Sequence, residues 1–402
     1  MIPCNPIPQN VWLQTGGRMW QRWHGFLSRH VVSVLFISAL AAAASATDLP
    51  VKIVPIGFAG PLSEINARNG RNAAILAIEE INKGVPRING QAVIFELVEQ
   101  DDKADPRIAE YIARYFAGSK AIGVVGHWTS NATVAAAPIY NEAGMAQVSP
   151  ASWSRGFTEK SFKTAFQILG TDDAGLAYAA DYLVREQQLK RVFVLDDGAY
   201  LGTSMADYLS AHVKAAGGEI VYRTSVNGKT SDFNAPLQKA QQVKPDLIFF
   251  SGRVIQSDVL ARNLHRFNLS AKLLITGSVV TGNFLRNAEK INISLMAILP
   301  STPMEKRPGV VALQKKYMER FNMEMLPFAA YAYDSVHVLV AAAKKANSLD
   351  RGKIVDALHE IKYSGITGTI SFDANGTLLK PAYTLYSMEQ QKWVPLRVFT
   401  AK

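Results

Sequence analysis

Beyond the N-terminal segment, the residues whose types could carry chemistry are scattered histidines, the aspartate pair Asp101-Asp102 and one serine-rich turn. The turn reads Ser152-Trp153-Ser154-Arg155-Gly156 and lacks the first glycine of G-x-S-x-G, so it is not a nucleophile elbow. Asp101-Asp102 resembles a general acid–base pair, but adjacent strand residues point to opposite faces and cannot flank one bond. Loop and helix-start hydrogen bonding is their expected role. His127, His212, His265, His337 and His359 lie far apart and match no H-E-x-x-H spacing, so surface or structural roles are expected. Neither G-x-G-x-x-G nor G-x-x-x-x-G-K-[ST] occurs, which argues against a nucleotide phosphate site. The only cysteine, Cys4, stands near the start of the chain, so neither thiol chemistry nor a disulfide is expected. These residues predict no enzyme, no cofactor and no metal.

The elements that would position any site alternate regularly. Val51–Gly57, Val93–Val98, Ile122–Val125 and Ala146–Ser149 read as strands. Helical patterns lie between them: Arg71–Asn82, with Ala74, Ile75, Ile78 and Ile81 on one face, a helix opened by Asp105-Pro106, and one after Ser130. The rhythm restarts with strands at Val192–Leu195, Glu219–Arg223, Leu247–Phe250 and Leu273–Ile275, and helices near 172–188, 202–216, 231–243 and 255–267. Strands separated by helices imply parallel sheets covered on both faces, hence two doubly wound α/β lobes. Helices near 307–322, 327–346 and 350–361 follow, then a hairpin signalled by Asp373-Ala374-Asn375-Gly376.

Whole-chain properties agree with this organisation. The 402 residues are too many for one usual core, and 48% apolar with 19% charged residues suits a folded protein. A net charge of +10 comes from scattered basic residues rather than a polybasic run, so no nucleic-acid partner is expected. Arg18, Arg22 and Arg29 precede an apolar stretch, Val31–Ala44, and then Ala44-Ser45-Ala46. A charged start, a short apolar core and an A-x-A site describe a secretory signal peptide over 1–46, with Met19 as a possible true start. The apolar core falls short of the roughly 20 residues that span a bilayer, so no stable membrane insertion is expected.

Several motifs in order carry a resemblance. They are Ile56-Gly57-Phe58-Ala59-Gly60-Pro61, Glu80-Ile81-Asn82, Asp101–Pro106, Gly126-His127-Trp128-Thr129-Ser130, Val148-Ser149-Pro150-Ala151-Ser152 and Tyr331-Ala332-Tyr333-Asp334. Behind a signal peptide, this set resembles the leucine/isoleucine/valine-binding proteins, the type I periplasmic binding proteins of ABC importers. The resemblance covers the chain from about Leu49 to its end. It implies two lobes joined by a three-crossing hinge: 47–168 with 298–381 as lobe I, and 169–297 with 382–402 as lobe II. It also implies a small amino acid or other carboxylate as ligand and a membrane permease as partner. A periplasmic sensor that presents its solute to a membrane receptor would share the fold.

Residue by residue, the resemblance assigns Ser130 and the helix-start amides to the ligand's carboxylate, which suits the positive end of a helix dipole. Helix capping is the alternative role for Ser130. Ala151 and Ser152 match a segment that gives a carbonyl and a hydroxyl, while Trp153 replaces a small hydroxyl residue. Tyr200, in a D-x-x-x-Y-G-like pattern with Asp196 and an inserted Leu201, would close over the ligand from lobe II; packing at a strand end is its alternative. Two departures stand out. Thr276-Gly277-Ser278 holds no acid where the amino-acid binders pair the ammonium, and Arg253 replaces an aromatic residue. Unless Asp196 or Asp197 substitutes for the missing acid, these departures, together with Trp128, Trp153 and Tyr200, predict an acid with a second anionic or an aromatic end. Arg253 facing solvent, or pairing with Asp258, is the alternative.

Overall fold

The apolar run that begins at Val51 becomes strand β1 (Lys52–Gly60), with Val54, Ile56 and Phe58 buried. The computed structural model describes residues 50–400, apart from 278, 281–283 and 285–293. The expected signal peptide and Ser278 lie outside the described residues. Helix α1 (Ile65–Lys83), strands β2 (Arg87–Ile88) and β3 (Gln91–Asp101), helix α2 (Pro106–Ala117), strand β4 (Gly123–Val125), helix α3 (Ser130–Glu142) and strands β5 (Ala146–Ser149) and β6 (Ala165–Gln167) complete the first pass. Their sheet runs β2-β3-β1-β4-β5-β6, parallel except at β2–β3. The α2 start forms as expected: the Asp105 carboxylate accepts the Arg107 N–H at 2.9 Å, with Pro106 in the first turn.

The second lobe is built from α4 (Asp172–Asp181), β7 (Arg191–Asp196), α5 (Tyr200–Ala215), β8 (Glu219–Ser225), α6 (Asn234–Val243), β9 (Leu247–Ser251), α7 (Val254–Arg266), β10 (Lys272–Ile275) and β11 (Leu295–Leu299). Every residue of β9 is buried, as a strand covered on both faces requires. The chain then returns to the first lobe with α8 (Val310–Phe321), α9 (Ala329–Ala346), α10 (Arg351–His359) and the small pair β12 (Tyr363–Gly365) and β13 (Gly368–Ile370). Tyr317 donates to the Asn69 carbonyl at 3.1 Å and Tyr333 to Glu80 at 2.6 Å, which ties α8 and α9 to α1. Strands β14 (Ala382–Glu389) and β15 (Lys392–Thr400) close the second sheet, whose order is β15-β14-β11-β10-β9-β7-β8.

The chain therefore passes between the lobes after β6, after β11 and before β14. Strand β11 runs past the expected division at 297 before the chain crosses. Two local expectations change. The helix expected through 188 is regular only to Asp181 and ends in a π-helical turn over Tyr182–Glu186. The expected hairpin at Asp373–Gly376 is a turn closed by one bridge, Phe372 to Leu378. The long C-terminal hairpin is β14–β15, which turns at Gln390 and Gln391, both with positive φ. That backbone usually selects Asn-Gly, so Gln-Gln carried no signal.

Candidate ligand cleft

The loop between β4 and α3 is shaped from beneath. A Cβ on Gly126, at φ +148, would stand 2.6 Å from the Ala59 carbonyl oxygen, so the residue must be glycine. His127 is fully buried; its Nδ1 lies 2.8 Å from Asp102 and its Nε2 3.2 Å from the Tyr140 hydroxyl. Asp102 also accepts the Ala104 N–H at 2.9 Å, and Asp101 accepts those of Leu62 and Lys103 at 3.1 and 2.9 Å. The aspartate pair and His127 thus have the loop-holding and structural roles expected of them. Burial raises the Tyr140 phenol well above its ordinary range, and the Asp102 charge adds to the effect. Among the described residues, no three His, Cys, Asp or Glu side chains converge as metal ligands.

Above this base, the α3 terminus faces the β5–β6 loop. Ser149 donates to the His127 carbonyl at 3.2 Å and accepts the Ser152 N–H at 3.2 Å, so the two loops share one anchor. The Ser152 and Ser130 hydroxyls lie 3.2 Å apart, and both residues are buried. The capping role weighed for Ser130 is not observed: Thr129 holds the cap position and makes no side-chain cap bond. Ser130 is the first helical residue, followed by Asn131 and Ala132, whose amides precede the first intrahelical donor, the Thr133 N–H that bonds the Thr129 carbonyl at 2.9 Å. Two coupled hydroxyls and free amides form a set of donors suited to a carboxylate.

The other expected residues are placed differently. Trp128 is buried over α1, where a Cβ on Gly70 would collide with its ring. Trp153 is also buried; its carbonyl accepts the Asp172 N–H at 2.7 Å, and its ring faces Gly175 beside the hinge. Ala151, half-buried, sits between Ser149 and Ser152. Tyr200 opens α5 and reaches across the cleft, its hydroxyl against Gly156 where a Cβ would collide with it. The next residue, Leu201, donates its N–H to Asn131 at 3.2 Å. Arg253 stands at the cleft mouth, exposed, and pairs with Glu64 of lobe I at 3.7 Å. Asp258 instead engages Arg262 at 2.8 Å. Thr276 is buried and donates to Ser251 at 3.3 Å.

Glu64, Asn131 and Asp172 were not singled out in the sequence. Asp172 is buried, accepts the Arg155 and Asp173 N–H groups at 2.8 and 2.9 Å, and burial raises its carboxyl to about 6. The available signal was Thr171-Asp172-Asp173, a capping threonine followed by acids in the first turn of a helix.

Residues 53–392 match the family model described as periplasmic binding protein. The chain belongs to this family. It is a solute-binding family, not an enzyme family, and a periplasmic one. Among the described residues of this binding protein, no helix is long and apolar enough to cross a membrane. It is 29% identical over 375 residues to an amino acid binding protein of Pseudomonas aeruginosa, covering 91% of this chain and 96% of that one. A leucine-, isoleucine-, valine-, threonine- and alanine-binding protein of the same organism is 26% identical, covering 88% of this chain and 95% of that one. The structure resembles the branched-chain amino acid binding protein LivJ of Streptococcus pneumoniae in complex with isoleucine. The TM-score is 0.75 at 26% identity, covering 87% of this chain and all of that one.

Proposed function

We propose that this protein captures a small amino acid or related carboxylate between its lobes and delivers it to the membrane permease of an ABC importer. The observation that carries the reading is the Ser130–Ser152 hydroxyl pair at the amino end of α3, with no capping bond drawing Ser130 away. A carboxylate placed there receives hydroxyl and amide hydrogen bonds and the positive end of the helix dipole. Ala151, Trp128, Trp153 and Tyr200 complete the walls. With the division moved past β11, lobe I (47–168 with 300–381) and lobe II (169–299 with 382–402) act as two rigid bodies, and closure excludes water from the ligand. The names of the relatives support an amino acid. The signal segment would deliver the chain to the periplasm after cleavage behind Ala46.

Isothermal titration with the twenty common amino acids and their deaminated acids tests this reading. Micromolar or tighter binding of one or more of these carboxylates is expected; binding of none of them refutes it. Leucine against 4-methylpentanoate weighs the ammonium separately. Thr276-Gly277 brings no acid to lobe II, and the Arg253 guanidinium is answered by Glu64. A leucine that binds no better than its deaminated analogue therefore marks a site for acids rather than zwitterions.

A further inference from the structure

The cleft mouth carries a charge arrangement that ligand binding does not require. Glu64 precedes α1 on lobe I and Arg253 follows β9 on lobe II, so their contact at 3.7 Å exists only when the lobes meet. Acids surround the guanidinium on both sides. Burial raises the Glu64 carboxyl, Arg253 pulls it back, and Asp102 and Asp101 raise it further. On the other lobe, burial raises the Asp197 carboxyl, with Asp196 adding to the rise and Arg253 opposing it. Closing without Arg253 would bring the lobe II acids toward three lobe I acids, with like-charge repulsion added to the lost attraction. Of the other bonds between the lobes, that from Leu201 N–H to Asn131 is uncharged, and the Arg155–Asp173 ion pair at 2.8 Å lies beside the hinge, where Asp172 bonds the Trp153 carbonyl.

We propose that Arg253 and Glu64 form a latch across the cleft mouth that sets the population of the closed state, with Arg253 a positioning residue and not the receptor of a second ligand carboxylate. The proposal rests on the two-lobed binding reading above, and it assigns the roof of the cleft to an ion pair made by the protein itself. Arg253 acts on closure, so its loss should weaken all ligands by a similar factor instead of changing their ranking.

The test uses the full chain carrying Cys4→Ser, with dyes at Tyr115→Cys on lobe I and Leu396→Cys on lobe II, both exposed. Single-molecule energy transfer then gives the open-to-closed ratio without ligand. Glu64→Arg and Arg253→Glu should each raise that ratio about two- to fivefold, the range for a half-exposed ion pair, with the difference fading in about 1 M salt. The double charge swap should return the ratio toward wild type. Glu64→Gln and Arg253→Gln, which add no like charge, should shift it in the same direction by less. Unchanged ratios in the single variants, or no recovery in the double swap, overturn the latch. Shifted ratios with no binding of any common amino acid would uphold the latch and count against the amino-acid reading alone.

Discussion

Replacing Ser130 by alanine separates binding from stability more sharply than any other change in this cleft. Two consequences follow from its position. Toward the ligand, the proposed partner of the hydroxyl is a carboxylate, and a hydrogen bond to a charged group contributes about 1.5–3 kcal/mol. Losing it should raise Kd roughly tenfold to a hundredfold. Toward the fold, the only hydrogen bond lost is the neutral one to Ser152 at 3.2 Å, because Thr129 holds the cap position and makes no cap bond. Such a bond contributes about 1 kcal/mol, which in a chain of this size lowers Tm by roughly 2 °C. Ser152→Ala removes the same protein bond and should show a similar Tm. The double variant then measures how far the two hydroxyls act as a unit on the ligand. Calorimetric titration with the tightest carboxylate of the panel and scanning calorimetry of the same samples read both quantities. A Tm several degrees lower with unchanged Kd would refute the reasoning and restore Ser130 to a purely structural role.

Asp102→Ala should be destabilising by about 3 kcal/mol, because it leaves the buried His127 ring without its 2.8 Å partner; chemical denaturation checks this, and a neutral result would show that the pair does not hold the loop. Two groups, the buried Asp172 and the half-buried His337, should give opposing pH dependences. The Asp172 carboxyl is raised to about 6 by burial, so its contribution is full below the unfolded value near 4 and is lost as pH rises through 6. Burial lowers His337 to about 4, so its contribution is present above the unfolded value near 6.5 and is lost as pH falls through 4. Between pH 4 and 6, Asp172→Asn should therefore make Tm rise with pH more steeply than in the wild type, whereas His337→Gln should flatten or invert the trend. N-terminal sequencing of periplasmic protein should begin at or within a few residues of Thr47; intact Met1 or Met19 in a cytoplasmic pool would refute export through this segment.

Alternation between strand and helix patterns is local information, so the two doubly wound lobes were legible in the residue order. The Val51, Val93, Ile122 and Leu247 runs needed no partner to be read as buried strands, and Asp105-Pro106 announced its own helix start. The family that the motifs resemble pointed to Ser130 and Ser152 together, and their hydroxyls lie 3.2 Å apart because the β4–α3 and β5–β6 loops leave neighbouring parallel strands at the same end of the sheet. Short strands such as β6 and β12 escaped, as did the Gln390-Gln391 turn, because their backbone is imposed by neighbours rather than by residue type. Which charges meet was not legible in the residue order. Glu64 and Arg253 are far apart in sequence and belong to different sheets, and nothing local to Arg253 distinguishes Glu64 from Asp258 as its partner. Asp258 is taken by Arg262 one helical turn on, at 2.8 Å. Arg253 is thereby directed across the cleft, because ion pairing depends on distance through space and the lobes set that distance only when they close.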